Sequence, residues 1–185
     1  KNIANALTKY DFVAGGLEGN RLNVSAPYRT APFTGEKIKF MGFLPYVIWC
    51  NMGFTRKAFN SVKGFNENFC EGDDVDFSWR LQMNGYSIKD VPEALMHYRY
   101  RGSVSGMWTQ TVGYDTTHVR LYKIFSQFGM PKSDTRKALR VYIKLLKKTP
   151  TLIFMTKLEQ EEYLRELAAY WGRFKGSLRY RTLYL

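Results

Sequence analysis

The sequence predicts an α/β fold, a partial mixed sheet with flanking helices followed by a helical C-terminal appendage, and three observations carry that reading. Up to about residue 100, apolar β-rich runs such as "DFVAGGLEG" and "PYVIWCNMGFT" alternate with short segments of helical pattern, and no internal repeat interrupts them. From Gly102 a Gly-, Ser- and Thr-rich stretch without steady period gives way to amphipathic helices. Charge changes as well: residues 1–119 hold 13 basic and 11 acidic side chains and residues 120–185 hold 15 and 5, so most of the net +12 belongs to the second part. The expected division is 1–118 for the α/β part and 119–185 for a basic helical appendage.

Taken in order, "DFVAGGLEG" (11–19) reads as a strand running into a glycine loop. From there to about Lys39, Pro27, Pro32 and Gly35 predict a long loop. "PYVIWCNMGFT" (45–55) predicts a continuous strand buried on both faces, after which Thr55 caps a short helix that Gly64 ends. "GFNENF" is a turn. The acidic "EGDDVD" opens the next helix, with apolar surface from Val75, Phe77, Trp79, Leu81 and Met83, until "NGY" stops it at Gly85. Trp79 reads as a core residue. "YSIKDVPEALMHYRY" predicts two short strands broken at Pro92, and "GSVSGMWTQTVGYDTT" has the composition of a mobile loop. Three helices follow. "HVRLYKIFSQFG" is the first; "DTRKALRVYIKLLKKT" has Ser133 or Asp134 ahead of it and Lys147 and Lys148 where the helix dipole favours cations; "KLEQEEYLRELAAYWGRFK" is the third.

Composition also excludes classes. A chain of 185 residues, 45% hydrophobic and 16% aromatic, suits a folded domain rather than a disordered segment. No run approaches the roughly 18 to 20 uninterrupted apolar residues of a membrane span. Cys50 and Cys70 have neither metal-ligand spacing nor a disulfide framework, which predicts two buried thiols in a reducing, cytoplasmic compartment. "KNIANALTKY" has no signal-peptide core and no initiator Met, so the chain is expected to begin inside a longer protein.

The aspartates are the chemically loaded stretch. Asp73, Asp74 and Asp76, with Glu71 ahead of them, repel one another without a partner. A helix start accounts for one acid, and an ordinary surface ion pair with Arg80 at i+4 accounts for Asp76. An EF-hand fails on spacing, because counting from Asp74 puts Trp79 and Gly85 where glycine and glutamate are needed. "DVD" follows the turn "NENFCEG" rather than a buried strand, unlike the metal-binding DxD of nucleotide-sugar enzymes. What remains is an acid at a helix N-terminus beside a loop, placed to act as a general base on a substrate hydroxyl. The helix dipole is expected to lower its pKa and keep Asp74 ionised.

"CNMGFTRKAFNSVKGFNENF" followed by "EGDDVDFSWRLQMNGYSIKDVPEALMH" resembles the C-terminal half of the catalytic domain of family 2 glycosyltransferases of the GT-A fold. There a small-residue strand leads to an Arg-containing helix, then "GGF-D-E", an "ED-x-D-x-x-x-R" helix, "G-Y", "V-P" and a His. The match runs from about Cys50 to His97, with "YDFVAGG" a weaker one before it, and the family's Glu-Asp pair stands here as Asp73-Asp74. The resemblance implies a GT-A-like domain whose nucleotide-binding half lies outside this chain. It implies transfer of a sugar from a nucleotide diphosphate sugar to a glycan or lipid-linked acceptor hydroxyl, with inversion, in glycan or polysaccharide synthesis. Asp74 would be the catalytic base, Asp73 its neighbour in the acceptor pocket, and His97 a ligand of a divalent metal, Mn²⁺ or Mg²⁺. Arg99 and Arg101 are candidates for neutralising the diphosphate, and Trp108 and Tyr114 for stacking on the acceptor sugar or on a base.

The basic tail opens a second class of function. Tyr142, Tyr163, Tyr170, Trp171 and Tyr180 among its cations suit a non-catalytic binding module, with an anionic membrane surface favoured over nucleic acid because aromatics at helical spacing are more often core. Lys137, Arg140, Lys144, Lys147 and Lys148 near an apolar stripe suit helices over 134–175 lying against an anionic membrane, at the inner face of the cytoplasmic membrane, or equally a helical appendage that packs on the domain and presents a solvated basic face.

Overall fold

The computed structural model describes residues 1–23, 35–36 and 38–185. Most of the predicted long loop lies outside the described residues. The chain divides into two compact units, Lys1–Tyr100 and Arg101–Leu185.

The first unit contains α1 (Asn2–Ala6), β1 (Phe12–Glu18), β2 (Met52–Phe54), α2 (Arg56–Ser61), α3 (Asp73–Met83) and β3 (Lys89–His97). The three strands form a mixed sheet in the order β2-β1-β3, with β1 antiparallel to β2 and parallel to β3. Phe12 and Ala14 of β1 join Val47, Ala58, Phe77, Leu81 and Ile88 in a buried core, against which Phe54, Phe59 and Phe65 pack. Phe77 is its hub, with ring centroids 4.3 Å from Phe65 and 4.9 Å from Phe54.

Thr55 caps α2 as predicted, its hydroxyl accepting from Ala58 N–H at 3.2 Å. The run 45–55 is not a continuous strand. Only Met52–Phe54 pairs with β1, and Trp49–Asn51 is a 3-10 turn. Backbone partners explain the difference, because the segment's polar groups are met by side chains of α3 instead of a ladder. Trp79 Nε1 donates to Leu44 O at 2.9 Å, Gln82 Nε2 to Pro45 O at 2.8 Å, and Val47 N–H to Ser78 Oγ at 3.0 Å. These three side chains, with Asp74 below, line the flank of α3 along which the segment lies.

Helix α3 is enclosed rather than half-exposed, with Val75, Asp76, Phe77, Ser78 and Trp79 all buried and Met83 exposed at its end. Asp76 is 1% exposed and binds Arg80 twice, at 2.8 Å through Nε and 2.7 Å through Nη2. Arg80 Nη1 also donates to Val62 O and Gly64 O at 2.7 and 2.9 Å, which fastens the end of α2 to α3. The predicted surface ion pair is therefore a buried structural one. Both cysteines are exposed, not buried as predicted, because Cys50 sits in the 3-10 turn and Cys70 in the turn before α3.

Pro92 lies within a single strand, β3, rather than between two. The ladder absorbs it by slipping: Val91 pairs with Gly15, but Met96 already pairs with Leu17.

The second unit contains α4 (Val104–Phe125), α5 (Thr135–Lys148) and α6 (Lys157–Tyr180). The predicted mobile loop is the first half of α4, capped by Ser103 Oγ accepting from Gly106 N–H at 3.0 Å. Residue 118, where the sequence pattern divides the chain, lies within this helix. Its Thr116 and two glycines of α6 serve close helix packing: Thr116 Oγ1 donates to Gly172 O of α6 at 3.1 Å. A Cβ on Gly172 would stand 2.7 Å from Val112 O, and one on Gly176 2.8 Å from Thr116 O. Both obstacles are backbone. Gly172→Ala is expected to lower the stability of this unit by about 1 to 3 kcal/mol in denaturant unfolding; unchanged stability would mean the helices part freely.

Asp115 is buried in the same interface, 2.8 Å from Arg173 Nε and 3.2 Å from His118 Nδ1. Burial pushes its carboxyl up, but His118 and Arg173 outweigh that and hold it below the usual carboxylate range. Asp134 caps α5, and Thr156 with Glu159 forms a capping box on α6, which runs on to Tyr180. Among the described residues no helix is long and apolar enough to cross a membrane.

Candidate active site

Two clusters of predicted site residues come from the first unit. One is the N-terminus of α3. Gly72, at φ 73°, makes the left-handed turn into the helix, so none of the three aspartates is its N-cap residue. Asp74 turns its carboxylate to neighbouring backbone: Oδ1 accepts from Val75 N–H at 2.8 Å and Oδ2 from Trp49 N–H at 3.3 Å. That bond comes from the Trp49 backbone; the residue is 52% exposed and its ring stands perpendicular to Phe65, with centroids 4.4 Å apart.

The Asp74 pKa is raised, not lowered, to about 6. Desolvation by burial is the largest cause; the bonds from Trp49 and Val75 oppose it and the Asp73 charge adds to it. Desolvation outweighs the helix dipole that the sequence puts first. About nine in ten Asp74 carboxyls are still ionised at pH 7. Although Cys50 is exposed at the surface, partial desolvation by its neighbours raises its thiol, and the Asp74 charge raises it further.

A pH signature follows from the sign of the Asp74 shift. With the folded pKa above the unfolded one, its stabilising contribution is complete below about pH 4 and is lost as pH rises through about 6. Between pH 4 and 8 the wild-type chain is expected to lose about 1 to 2 kcal/mol relative to Asp74→Asn, allowing for solvent screening. Parallel stability-against-pH curves from denaturant unfolding would remove the shift.

The other cluster sits at the carboxyl ends of the parallel strands, where open α/β sheets bind ligands. Glu18 of β1 and His97 of β3 are register partners. His97 Nδ1 lies 2.9 Å from Glu18 Oε2, and His97 Nε2 lies 3.2 Å from Arg21 Nη1. Arginine only donates, so Nε2 is the acceptor and the ring proton sits on Nδ1, facing Glu18. The His97 bond in turn holds Glu18 below the usual carboxylate range. Asn23, buried beside them, donates to Tyr98 O at 2.7 Å and accepts from Tyr100 N–H at 2.9 Å, fixing the chain as it leaves β3.

Asn51 joins the two clusters. It lies in the same 3-10 turn as Trp49, and its Nδ2 donates to Gly16 O at 2.8 Å and Ala94 O at 2.6 Å, where the β1–β3 ladder slips. A Cβ on Gly15 would overlap the Asn51 carboxamide, so this approach requires glycine. Asn51 and His97 also line a cavity of about 500 Å³ with Lys1, Asn2 and Glu93.

Of the other predicted residues, Asp73 stands next to Asp74 at the head of α3, Arg99 is exposed two residues beyond His97, and Arg101 is exposed at the start of the second unit. Trp108 and Tyr114 belong to α4 of that unit. The sequence pattern missed Trp49, Asn51, Glu18 and Asn23. Only the Asn of "WCN" at the end of an apolar run gave a signal, a polar group where a buried strand should have none. Among the described residues, no group of three or more His, Cys, Asp or Glu side chains gathers at metal-binding spacing. The chain matches no family model, no curated protein and no solved structure.

Proposed function

We propose that this chain is the acceptor-side part of a glycosyltransferase that moves a sugar from a nucleotide diphosphate sugar to an acceptor hydroxyl of a glycan or lipid-linked glycan, with inversion. The observation that carries the reading is Asp74, a desolvated carboxylate with a pKa raised to about 6 that accepts from the backbone N–H of the exposed Trp49. A base of that strength is charged at neutral pH yet takes a proton more readily than an ordinary aspartate. The order of the motifs around it, from "CNMGF" to "VPEALMH", supports the family.

In this mechanism Asp74 takes the acceptor O–H proton as the hydroxyl oxygen bonds to the sugar's anomeric carbon and the bond to the nucleoside diphosphate breaks. Trp49 offers an apolar face to the acceptor ring, the part the sequence pattern gives to Trp108, and Asp73 accepts from a neighbouring hydroxyl. Trp108 remains a proposed acceptor contact.

His97 is proposed as one ligand of a divalent metal. Glu18 fixes its tautomer and orientation as a carboxylate commonly does for a ligating histidine, and the exposed Arg21 side chain that donates to Nε2 would have to turn away to free the lone pair. A Mn²⁺ or Mg²⁺ ion held there would supply charge stabilisation for the departing diphosphate. Arg99 and Arg101 are proposed to add positive charge near that group. The donor-binding half is proposed to lie outside this chain, and the reaction to occur on the cytoplasmic side.

The test is nucleoside diphosphate release by a polypeptide that includes the upstream residues, given a panel of nucleotide sugars. Release is expected to need Mn²⁺ or Mg²⁺, and His97→Ala to raise the metal concentration required by about 10- to 100-fold. The 185-residue chain alone, with one ligand, is expected to show no tight Mn²⁺ binding by calorimetry. Metal-independent release unchanged by His97→Ala would remove His97 from the site.

A further inference from the structure

The second unit leaves an apolar stripe uncovered. Leu139, Ile143 and Leu146 of α5 recur at i, i+4 and i+7, on a face distinct from the buried Ala138 and Leu145, and Leu146 is 73% exposed. The 3-10 turn Thr149–Phe154 continues from the end of α5, with Ile153 79% and Phe154 83% exposed. An aromatic side chain this open gains nothing from its own fold.

The charges beside the stripe indicate what covers it. By helical periodicity the side of α5 next to the stripe carries the exposed Arg136, Arg140 and Lys147, with Lys137 and Lys148 further round. Residues 120–185 hold 15 basic and 5 acidic side chains. A second copy docked on the same face would set these cations against their own images, which opposes self-association. An anionic partner removes that repulsion. A stripe of large apolar side chains flanked by cations, on a helix too polar to cross a bilayer, is the pattern of an interfacial helix.

We infer that α5 and the following turn form a membrane-docking face: Leu139, Ile143, Leu146, Ile153 and Phe154 enter the interfacial layer of an anionic bilayer while Arg136, Arg140 and Lys147 engage lipid phosphates. Phe154 and Ile153 form the deepest point of entry. Lys144, 2.7 Å from Glu166 of α6, is held back within the unit and is not part of the face. This inference narrows the membrane contact predicted across 134–175 to one edge. It does not depend on the transferase reading, since vesicle binding needs no sugar donor.

The test is flotation of the 185-residue chain with phosphatidylcholine vesicles, with and without phosphatidylglycerol. Binding is expected to the anionic vesicles only and to weaken with salt. Ile153→Ser/Phe154→Ser should lower the partition constant by on the order of tenfold with an unchanged circular dichroism spectrum. Arg136→Gln/Arg140→Gln should lower it by about tenfold and flatten the salt dependence. Trp171→Ser/Leu178→Ser, on an exposed apolar edge of α6, should bind like wild type. Three outcomes overturn the inference: no flotation with anionic vesicles at low salt, flotation that depends on Trp171 and Leu178 instead, or concentration-dependent self-association abolished by the Ile153/Phe154 change.

Discussion

Asp74→Asn, in a polypeptide that carries the donor-binding half, is expected to lower kcat for sugar transfer by on the order of 10³ while leaving KM for the donor near its wild-type value. Asparagine keeps one oxygen to accept from Trp49 or Val75, so the 3-10 turn stays on α3, but its amide accepts no proton from the acceptor. The pH profile distinguishes this from misplacement. Wild-type kcat/KM should fall on the acid side of about pH 6, the Asp74 pKa, and the residual rate of the variant should lack that limb. Transfer by Asp74→Asn at near wild-type rate would assign the base elsewhere.

Asp76→Ala, two residues along the same helix, is expected to act on stability alone. It removes the carboxylate that holds Arg80 and leaves the guanidinium, still tied to Val62 O and Gly64 O, with uncompensated charge in a buried setting. Breaking such a pair from one side costs about 3 to 5 kcal/mol. Hydrogen exchange of α3 amides should show the loss directly and separate it from the second unit, where exchange should not change. A loss under about 1 kcal/mol would mean Arg80 escapes to solvent and the pair is no anchor.

The contrast between Asp74 and Asp76 shows which parts of the fold and site are legible in the sequence. Local rules held where local groups decide: Thr55 and Asp134 are caps because a side-chain oxygen meets an amide within its own turn. The α3 helix and its stop at Gly85, with φ 88°, were legible for the same reason. The burial of Asp76 was not, because it depends on carbonyls of residues 62 and 64 that only folding brings near. The direction of the Asp74 shift depends on a segment more than twenty residues away lying along α3. The first half of α4 failed differently. Glycine and threonine signal loops when read locally, but Thr116 of α4 bonds to Gly172 of α6, and Gly172 and Gly176 of α6 leave room for the α4 backbone, so the helix rests on a partner that its own sequence does not show.

The strand order also has a kinetic consequence. β1 is the middle strand of its sheet yet the first in the chain, so both its edges wait for partners made much later: Phe54 for Phe12, and His97 for Glu18. Loop closure over such separations precedes any reward from pairing, which slows folding and keeps the apolar β1 exposed until residue 97 has been synthesised. The closing register is also the one that sets His97 against Glu18, 79 positions apart. The last pairing to form in the sheet therefore orients the candidate metal ligand, and a chain stalled before it would have Asp74 and its helix but no aligned histidine.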